Sequence, residues 1–253
     1  MGIIVDKKDR VARLTLERPP LNVLDLSILG ELRRELEALD GDSEIDFLVL
    51  RGGGGRAFSA GVDVKDHTRD KVPAMLDAVH GVIRRLFSLR QVTIAEVNGA
   101  CLGGGWELAS SCDLVLASEA SFFATPEITV GCYPPVALAR FPMQIGYHRS
   151  AELILTGRRL TAEEAREFGL VNRVVPAGEL DQEVESLLTD LRGKSSVVLR
   201  ITLEGLREVG LAALDQHLKK SEERYLNILL KSEDVEEGVE AFLNKRPPKW
   251  RNK

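Results

Sequence analysis

Hydrophobic residues recur along the chain at two spacings, a short one typical of strands and a longer one typical of helices. Apolar runs at 3–5 and 11–16 flank a polar turn and predict a β-hairpin that ends at Pro19-Pro20. Leucines spaced three or four residues apart between 29 and 39 predict a helix that Gly41 ends. The run Phe47–Leu50 then predicts a short buried strand.

The two spacings alternate as far as about Val175. Residues 75–86 predict a long amphipathic helix, and the runs 92–97, 114–117 and 170–175 predict strands. Thr161 and Glu164 form a capping-box pattern at the start of a further helix. From Leu180 onward the spacing is helical almost to the end. We therefore predict an α/β core over residues 1–195 and a helical C-terminal region over 196–253.

Composition narrows the classes of partner. The 253 residues carry 39 acidic and 34 basic side chains, so the net charge is −5. That balance argues against nucleic acid as the main partner. No apolar run reaches the ~18 residues of a membrane span, so we expect no membrane insertion. Three cysteines, an odd number without metal-type spacing, favour a reducing cytoplasm.

The stretch of the chain with the most distinctive chemistry is Val97–Leu108, in which three consecutive glycines follow a predicted strand and precede a helical run. Glycine lets the backbone approach a ligand closely with its N–H groups turned toward it. The start of a helix adds unpaired donors and a positive dipole end. Because Glu107 falls in the first turn, the stretch suits a reaction that moves a proton while charge builds on an oxygen.

Two other motifs point to other chemistry, and both fit poorly. Gly52, Gly54 and Ala57 match a dinucleotide fingerprint, but no helical spacing opens after them as that site requires. Ser59 lies one residue short of a nucleophile elbow, with His67 and His80 as conceivable partners. An elbow follows a strand directly, whereas four glycines precede this serine, so we interpret Ser59 as a loop hydroxyl.

Glu107 and Glu127 are the candidate catalytic pair. Taken alone, Glu107 could simply complement a helix dipole, and Glu127, in a turn-rich segment, could cap a neighbouring turn. Taken together, with a glycine-rich backbone beside one of them, they favour paired general acid–base chemistry.

Three segments, in order, resemble the crotonase (enoyl-CoA hydratase/isomerase) superfamily. They are RAFSAGVDVK at 56–65, VNGACLGGGWELA at 97–109 and FATPEITVG at 123–131. The resemblance implies a fold of the α/β class, a spiral of ββα units with a helical C-terminal trimerisation region. It also implies a homotrimer or a dimer of trimers. The implied ligand is a coenzyme A thioester, and no separate cofactor or metal is implied.

The resemblance also assigns roles to residues. The amides of Val62 and Gly104 would hold the thioester oxygen, and Glu107 and Glu127 would hold a water and exchange protons with the substrate. Which glutamate is the acid stays open. The substrate and coenzyme A contacts implied in this way are Arg56, Ala57, Phe58, Ala60, Gly61, Asp63, Val64, Lys65, Gly103, Trp106, Tyr133, Pro134 and Pro135.

The segment GCYPPVALAR at 131–140 departs from ordinary enoyl-CoA hydratases, because Pro135 and Val136 replace small residues. We expect both to alter the wall of the acyl pocket. With residues 58–68, the segment resembles the subgroup of cyclohexa-1,5-diene-1-carbonyl-CoA hydratases. The expected reaction is hydration of a conjugated enoyl or cyclic dienoyl thioester. Alternatives are an isomerase or thioester hydrolase on the same scaffold, or a non-catalytic RNA-binding member of the superfamily.

Overall fold

Two β-sheets and the helices around them make up the computed structural model, which describes residues 2–253. Its strands are β1 Gly2–Lys8, β2 Val11–Glu17, β3 Phe47–Gly52, β4 Ala57–Ser59, β5 Val92–Val97, β6 Ala100–Leu102, β7 Leu114–Ser118, β8 Phe122–Ala124, β9 Leu160–Thr161 and β10 Arg173–Val175. Its α-helices are α1 Leu26–Asp40, α2 Val72–Ser88, α3 Gly104–Ser110, α4 Pro135–Ile145, α5 Tyr147–Thr156, α6 Ala162–Glu167, α7 Leu180–Arg192, α8 Ser196–Leu211, α9 Leu214–Asn227 and α10 Glu233–Leu243.

The larger sheet has six strands in the order β1-β2-β3-β5-β7-β10. The predicted hairpin is present, with β1 antiparallel to β2, and every later neighbour in this sheet is parallel. Parallel strands need a crossover connection, which the helices and the smaller sheet supply.

The smaller sheet shows how the chain forms a spiral of ββα units. Its strands run in the order β4-β6-β8-β9, and the first three are parallel. The chain passes from β3 to β4 to α2, then from β5 to β6 to α3, and then from β7 to β8 to α4. Each turn is thus one ββα unit, as the resemblance implied. The three short strands have three residues each and were not predicted, and the first of them lies in a segment that was interpreted as loop.

Alternate residues of the larger sheet pack into two hydrophobic cores, one on each face of the sheet. On β3, Leu48 and Leu50 pack into the main cluster with α1 and α2. Phe47 and Val49 face the other way, into a second cluster that includes Leu188 of α7. This period of two places apolar residues on both faces, the arrangement expected of a parallel sheet covered on both sides.

Local capping agrees with the sequence in two places. Asp25 precedes α1 and its carboxylate accepts from the Ile28 amide at 2.9 Å, while Gly41 follows the helix. Thr161 and Glu164 form the predicted capping box at the start of α6. Helices α4 and α5 were not predicted; α4 begins at Pro135, a residue that the first turn of a helix tolerates.

The C-terminal region packs against the core near the smaller sheet. Helix α9 contacts α4, and α10 contacts the 3₁₀ turns Val64–Asp66 and Pro126–Val130. A Cβ on Gly238 of α10 would lie 2.4 Å from the Val130 carbonyl oxygen, so glycine permits this close approach. The division at residue 195 stays a prediction. No helix within residues 2–253 has the length and apolar character needed to cross a membrane.

One buried acidic side chain lies in the larger sheet, away from the glycine-rich stretch. Glu96 of β5 is 7% exposed, and its carboxylate faces Asp181 of α7 as well as Arg51. Burial, reinforced by Asp181, raises the pKa of Glu96 to about 8, although Arg51 and Arg13 oppose the rise. Folding therefore favours the protonated acid.

We predict that Glu96→Gln stabilises the protein increasingly as pH rises. The pKa of Glu96 is higher in the folded chain than in the unfolded chain. The protonated Glu96 side chain therefore contributes fully to the free energy of unfolding at pH values below its unfolded pKa. That contribution is lost as pH rises through about 8. The neutral amide avoids that loss. Urea unfolding at pH 5 and pH 9 checks this, with a gain on the order of 2 kcal/mol expected at pH 9. The exposed Glu44→Gln serves as control, and an equal gain at both pH values would contradict the account.

Candidate active site

A sharp backbone turn joins β6 to α3 and brings Glu127 against the glycines. Gly103 has φ of 51° and donates its N–H to the Ala124 carbonyl at 2.9 Å. A Cβ on Gly103 would lie only 2.6 Å from Glu127 Oε1. Glycine is therefore needed here twice, for the left-handed backbone and for the space that the carboxylate occupies.

Two backbone amides lie side by side at this turn. A Cβ on Gly104 would lie 3.5 Å from the Val62 nitrogen, and one on Gly61 would lie 3.3 Å from the Gly104 nitrogen. Gly104 begins α3, so its N–H has no partner within the helix. Within residues 2–253, neither the Val62 nor the Gly104 amide donates a hydrogen bond. The pair forms two free donors at one point.

Ser59 holds the loop that presents Val62. Its hydroxyl donates to the Asn22 carbonyl at 2.7 Å and accepts from the Gly61 amide at 3.1 Å. Both bonds are buried, and they fix the backbone just before Val62. Ser59 is thus a structural hydroxyl, but it ends strand β4, so the prediction of a loop was wrong. No helix opens after the glycines at 52–55, as a dinucleotide site would require.

Glu107 lies in the first turn of α3 and is 3% exposed. Its Oε1 accepts from the Val136 amide at 2.8 Å and from the Ala137 amide at 2.9 Å. Those amides belong to the first turn of α4, where unpaired N–H groups and the helix dipole favour a negative charge. Burial raises the pKa of Glu107, while the two amides and His80 act in the opposite direction.

Glu127 approaches from the 3₁₀ turn Pro126–Val130, which Gly131 ends in the left-handed region. Its Oε2 is buried and has no hydrogen-bond partner. Burial, with the charge of Glu107 nearby, raises the pKa of Glu127 well above its usual range. Of the two carboxyl groups, Glu127 therefore holds a proton more readily, whereas the α4 amides favour the ionised form of Glu107.

Both carboxyl groups line one cavity of about 260 Å³. Its walls are mostly apolar and come from α2, α9 and α10 as well as from the two glycine-bearing loops. The predicted site residues that line it are Ala60, Gly61, Val62, Val64, Gly103, Gly104, Glu107, Glu127, Tyr133 and Pro135. Those that lie outside the lining are Arg56, Ala57, Phe58, Asp63, Lys65, Trp106 and Pro134.

The structure places Trp106 in the core. Its ring is 1% exposed and packs against Phe123 and Phe141, with centroid distances of 5.4 and 4.9 Å. Ala57 and Phe58 of β4 are also fully buried. Val136, expected as part of the pocket wall, instead contributes its amide to Glu107 while its side chain is buried. These side chains belong to the buried core and do not line the cavity.

Sequence reasoning assigned no place in the cavity to four polar side chains that line it: His67, His80 of α2, Thr129 and Tyr225 of α9. The two histidines were considered only as partners of Ser59. His80 interrupts the apolar face that Leu76, Val79 and Ile83 form, and this interruption was the available signal. Tyr225 gave no signal, because only the packing of the C-terminal helices brings it to the site.

Comparisons with known proteins agree with this geometry. A family profile described as "Enoyl-CoA hydratase/isomerase" matches residues 6–253. The chain belongs to this family. The resemblance to the crotonase superfamily is therefore confirmed, and so is the fold, in the structural comparison given below.

Two of the similar proteins are named as hydratases of CoA thioesters. A probable enoyl-CoA hydratase echA8 of Mycobacterium tuberculosis is 35% identical over 98% of this chain and 97% of its own length. The 2,3-dehydroadipyl-CoA hydratase of Escherichia coli K12 is 34% identical over 99% of both chains. The crystal structure of an enoyl-CoA hydratase from Mycobacterium avium subsp. paratuberculosis covers 99% of this chain and 98% of its own, with 30% identity and a TM-score of 0.89.

We predict that Gly103→Ala damages the site more than its backbone strain alone explains. Gly146→Ala is the matched control, because Gly146 also has positive φ, at 81°, but nothing lies within 4 Å of an added Cβ. The control should lose about 1–3 kcal/mol in urea unfolding, because its backbone conformation is essentially limited to glycine. Gly103→Ala should lose more and should abolish turnover, since its Cβ displaces Glu127. Equal losses with turnover retained in both variants would contradict this packing.

Proposed function

We propose that the chain is a hydro-lyase that adds water to the conjugated double bond of an enoyl-CoA thioester. The observation that carries the proposal is the placement of two carboxyl groups and two free amides around one cavity. Acyl-CoA hydration needs an acid, a base and a partner for the thioester oxygen, and these groups are of the required kinds.

The amides of Val62 and Gly104 are proposed to bind the thioester oxygen. Attack of water on the β-carbon pushes electron density onto that oxygen, so donors directed at it stabilise the transition state more than the substrate. One such donor can contribute about 3–4 kcal/mol. The amides belong to a rigid loop and a helix start, so they need no reorganisation as the charge develops.

The different surroundings of the two glutamates suggest their roles. Glu107 is proposed as the base that takes the proton of the attacking water, because the α4 amides stabilise its ionised form. Glu127 is proposed as the acid that protonates carbon, because burial and the charge of Glu107 keep it protonated. After one turnover the protons have exchanged places and must re-equilibrate between the pair.

The loop 56–65 is proposed to guide the coenzyme A portion of the substrate. Arg56 and Lys65 are exposed there, while Ala60 to Val62 line the cavity. Cationic side chains at the rim suit a ligand that carries phosphates. Since coenzyme A arrives as part of the substrate, we propose no separate cofactor.

The acyl group is proposed to be a conjugated enoyl group or a cyclic dienoyl group. Pro135 lines the cavity, where the departure of segment 131–140 led us to expect an altered wall. A rate comparison of linear enoyl-CoA thioesters with cyclohexa-1,5-diene-1-carbonyl-CoA, followed by loss of conjugated absorbance, tests both the reaction and the acyl class. No turnover of any thioester would refute the proposed reaction.

We predict that Glu107→Gln and Glu127→Gln each lower kcat by at least about 100-fold, because proton transfer needs both groups. Both variants should still bind a saturated acyl-CoA, measured by calorimetry, since the amides and the cavity remain. Glu119→Gln, an exposed residue outside the cavity, is the control. Retained turnover in either cavity variant would overturn the acid–base assignment.

The chain is also proposed to form a homotrimer or a dimer of trimers through α8. This helix buries Leu203, and Leu199 and Leu211 in part, while five of its large apolar side chains are exposed: Val197, Val198, Ile201, Leu206 and Val209. Such an apolar patch on an otherwise polar helix is typical of an interface. A second and a third copy of this chain are the occupants that the proposal names.

We predict that the double variant Val198→Glu/Ile201→Glu is monomeric in analytical ultracentrifugation. Two carboxylates of like charge, without a positive partner, are too costly to bury in an apolar interface. Ile4→Glu on β1 is the control, since Ile4 is 54% exposed and Ile201 is 59% exposed. A monomeric parent chain, or a double variant with the parent's mass, would contradict the proposed interface.

A further inference from the structure

The cavity contains a histidine for which the proposed hydration assigns no role. His80 of α2 is fully buried and lines the cavity beside apolar neighbours. Its Nδ1 meets Glu222 Oε1 of α9 at 2.5 Å, so a proton on Nδ1 is directed to that carboxylate. Nε2, on the other side of the ring, is buried and has no partner. A buried polar atom without a partner is costly unless a ligand satisfies it.

Glu222 is itself held in place. Arg84, one helical turn after His80, donates to Glu222 Oε1 at 3.1 Å and to Asp215 at 2.9 Å. These contacts join α2 to α9 and fix the orientation of the imidazole ring. The arrangement resembles the way a carboxylate orients a histidine in many sites. Glu222 is therefore a positioning residue.

A second buried polar atom without a strong partner lies in the same lining. Tyr225 is three residues after Glu222, so both point from the same side of α9. The Tyr225 side chain is 1% exposed, and its ring centroid lies 5.0 Å from that of Tyr133. Its Oη has no nitrogen or oxygen partner and has only the Cys132 thiol, a weak partner, beside it. A purely hydrocarbon acyl group would leave both His80 Nε2 and Tyr225 Oη unpaired.

The charges around the cavity decide which kind of polar group fits. Among the described residues that line it, none is lysine or arginine, and two are glutamates. Two histidines also line the cavity, His67 and His80. His80 already faces the carboxylate of Glu222, whereas His67 Nδ1 lies 3.1 Å from the Asp63 carbonyl oxygen and burial lowers the pKa of its ring, which disfavours a counter-charge there. A second carboxylate on the acyl group would therefore lack a counter-charge. A neutral hydroxyl, which can both accept from Tyr225 and donate to or accept from Nε2, is satisfied in either protonation state of the ring.

We propose that His80, oriented by Glu222, and Tyr225 form a polar end of the acyl pocket that selects enoyl-CoA thioesters carrying a hydroxyl group beyond the β-carbon. This specificity rests on the proposed function. It distinguishes the chain from a hydratase for plain alkyl groups and from one for dicarboxylic acyl groups.

The test uses matched thioesters. Hydration of trans-2-hexenoyl-CoA is compared with that of its 4-, 5- and 6-hydroxy derivatives and of 2,3-dehydroadipyl-CoA. For at least one hydroxyl position, kcat/KM should exceed that of the alkyl and dicarboxylic thioesters by about tenfold or more. Dissociation constants of the saturated counterparts, hexanoyl-CoA and the hydroxyhexanoyl-CoAs, are measured in parallel by calorimetry.

Substitutions identify the residues that cause the preference for hydroxylated over alkyl thioesters. His80→Leu and Tyr225→Phe should each reduce this ratio of kcat/KM values. His80→Gln should keep part of the ratio, because the glutamine amide can reach the position of Nε2. Glu222→Ala should weaken binding of the hydroxylated ligand about tenfold while leaving the alkyl ligand's dissociation constant unchanged. Glu223→Ala, the exposed neighbour, is the control. Circular dichroism establishes that each variant is folded.

The outcomes separate the two proposals. A binding preference for hydroxylated ligands without hydration of any thioester would refute the proposed function and support the polar pocket. Hydration with equal kcat/KM for alkyl and hydroxylated thioesters would refute the polar pocket alone. A preference for 2,3-dehydroadipyl-CoA, or a hydroxyl preference unchanged in both His80→Leu and Tyr225→Phe, would also overturn it.

Discussion

The candidate site depends on one interaction, the binding of the Glu107 carboxylate by the first amides of α4. A carboxylate that is 3% exposed would ordinarily take up a proton. The Val136 and Ala137 amides provide two hydrogen bonds to one oxygen, and the dipole of α4 adds a favourable field. The ionised form can therefore persist in an apolar cavity. Its charge in turn favours protonation of Glu127, so one contact gives two identical side chains different affinities for a proton.

The spiral provides the geometry for this contact. Successive ββα turns stack their short strands β4, β6 and β8 in one sheet, and the loops that leave these strands meet at the cavity. Gly61, Gly103 and Gly104 lie where such loops touch, and a Cβ added at any of them would lie less than 3 Å from an atom of a neighbouring loop. Side chains at these positions would separate the two free amides. The same close packing brings Glu127 against Gly103.

The sequence predicted well those features that depend on regular spacing. The hairpin, α1, α2, the long parallel strands and the C-terminal helices follow from periodic apolar residues. Strands β4, β6 and β8 were missed because three residues are too few to show a period of two. Their shortness also hides the structural repeat, since the helices that follow differ in length from 7 to 17 residues.

The candidate site was predicted in outline. Ten of the seventeen expected residues line the cavity. The glycines beside Glu107 and the two glutamates carry a local signal, and the other residues were implied by the resemblance. Trp106 was implied as a substrate contact but packs in the core, since an aromatic ring after a glycine turn fits a core or a pocket equally well. His80 and Glu222 meet across 142 residues, and such a pair depends on how α9 docks against α2. Contacts of that kind follow from tertiary packing and leave no local pattern.

The central claim is that Glu127 holds the shared proton while Glu107 is ionised. Infrared spectroscopy of buried carboxylic acids at neutral pH tests it directly, in a Glu96→Gln background so that the acid on β5 does not contribute. The account predicts a protonated carboxyl band that disappears in Glu127→Gln and persists in Glu107→Gln. A band that persists in Glu127→Gln and disappears in Glu107→Gln would contradict it.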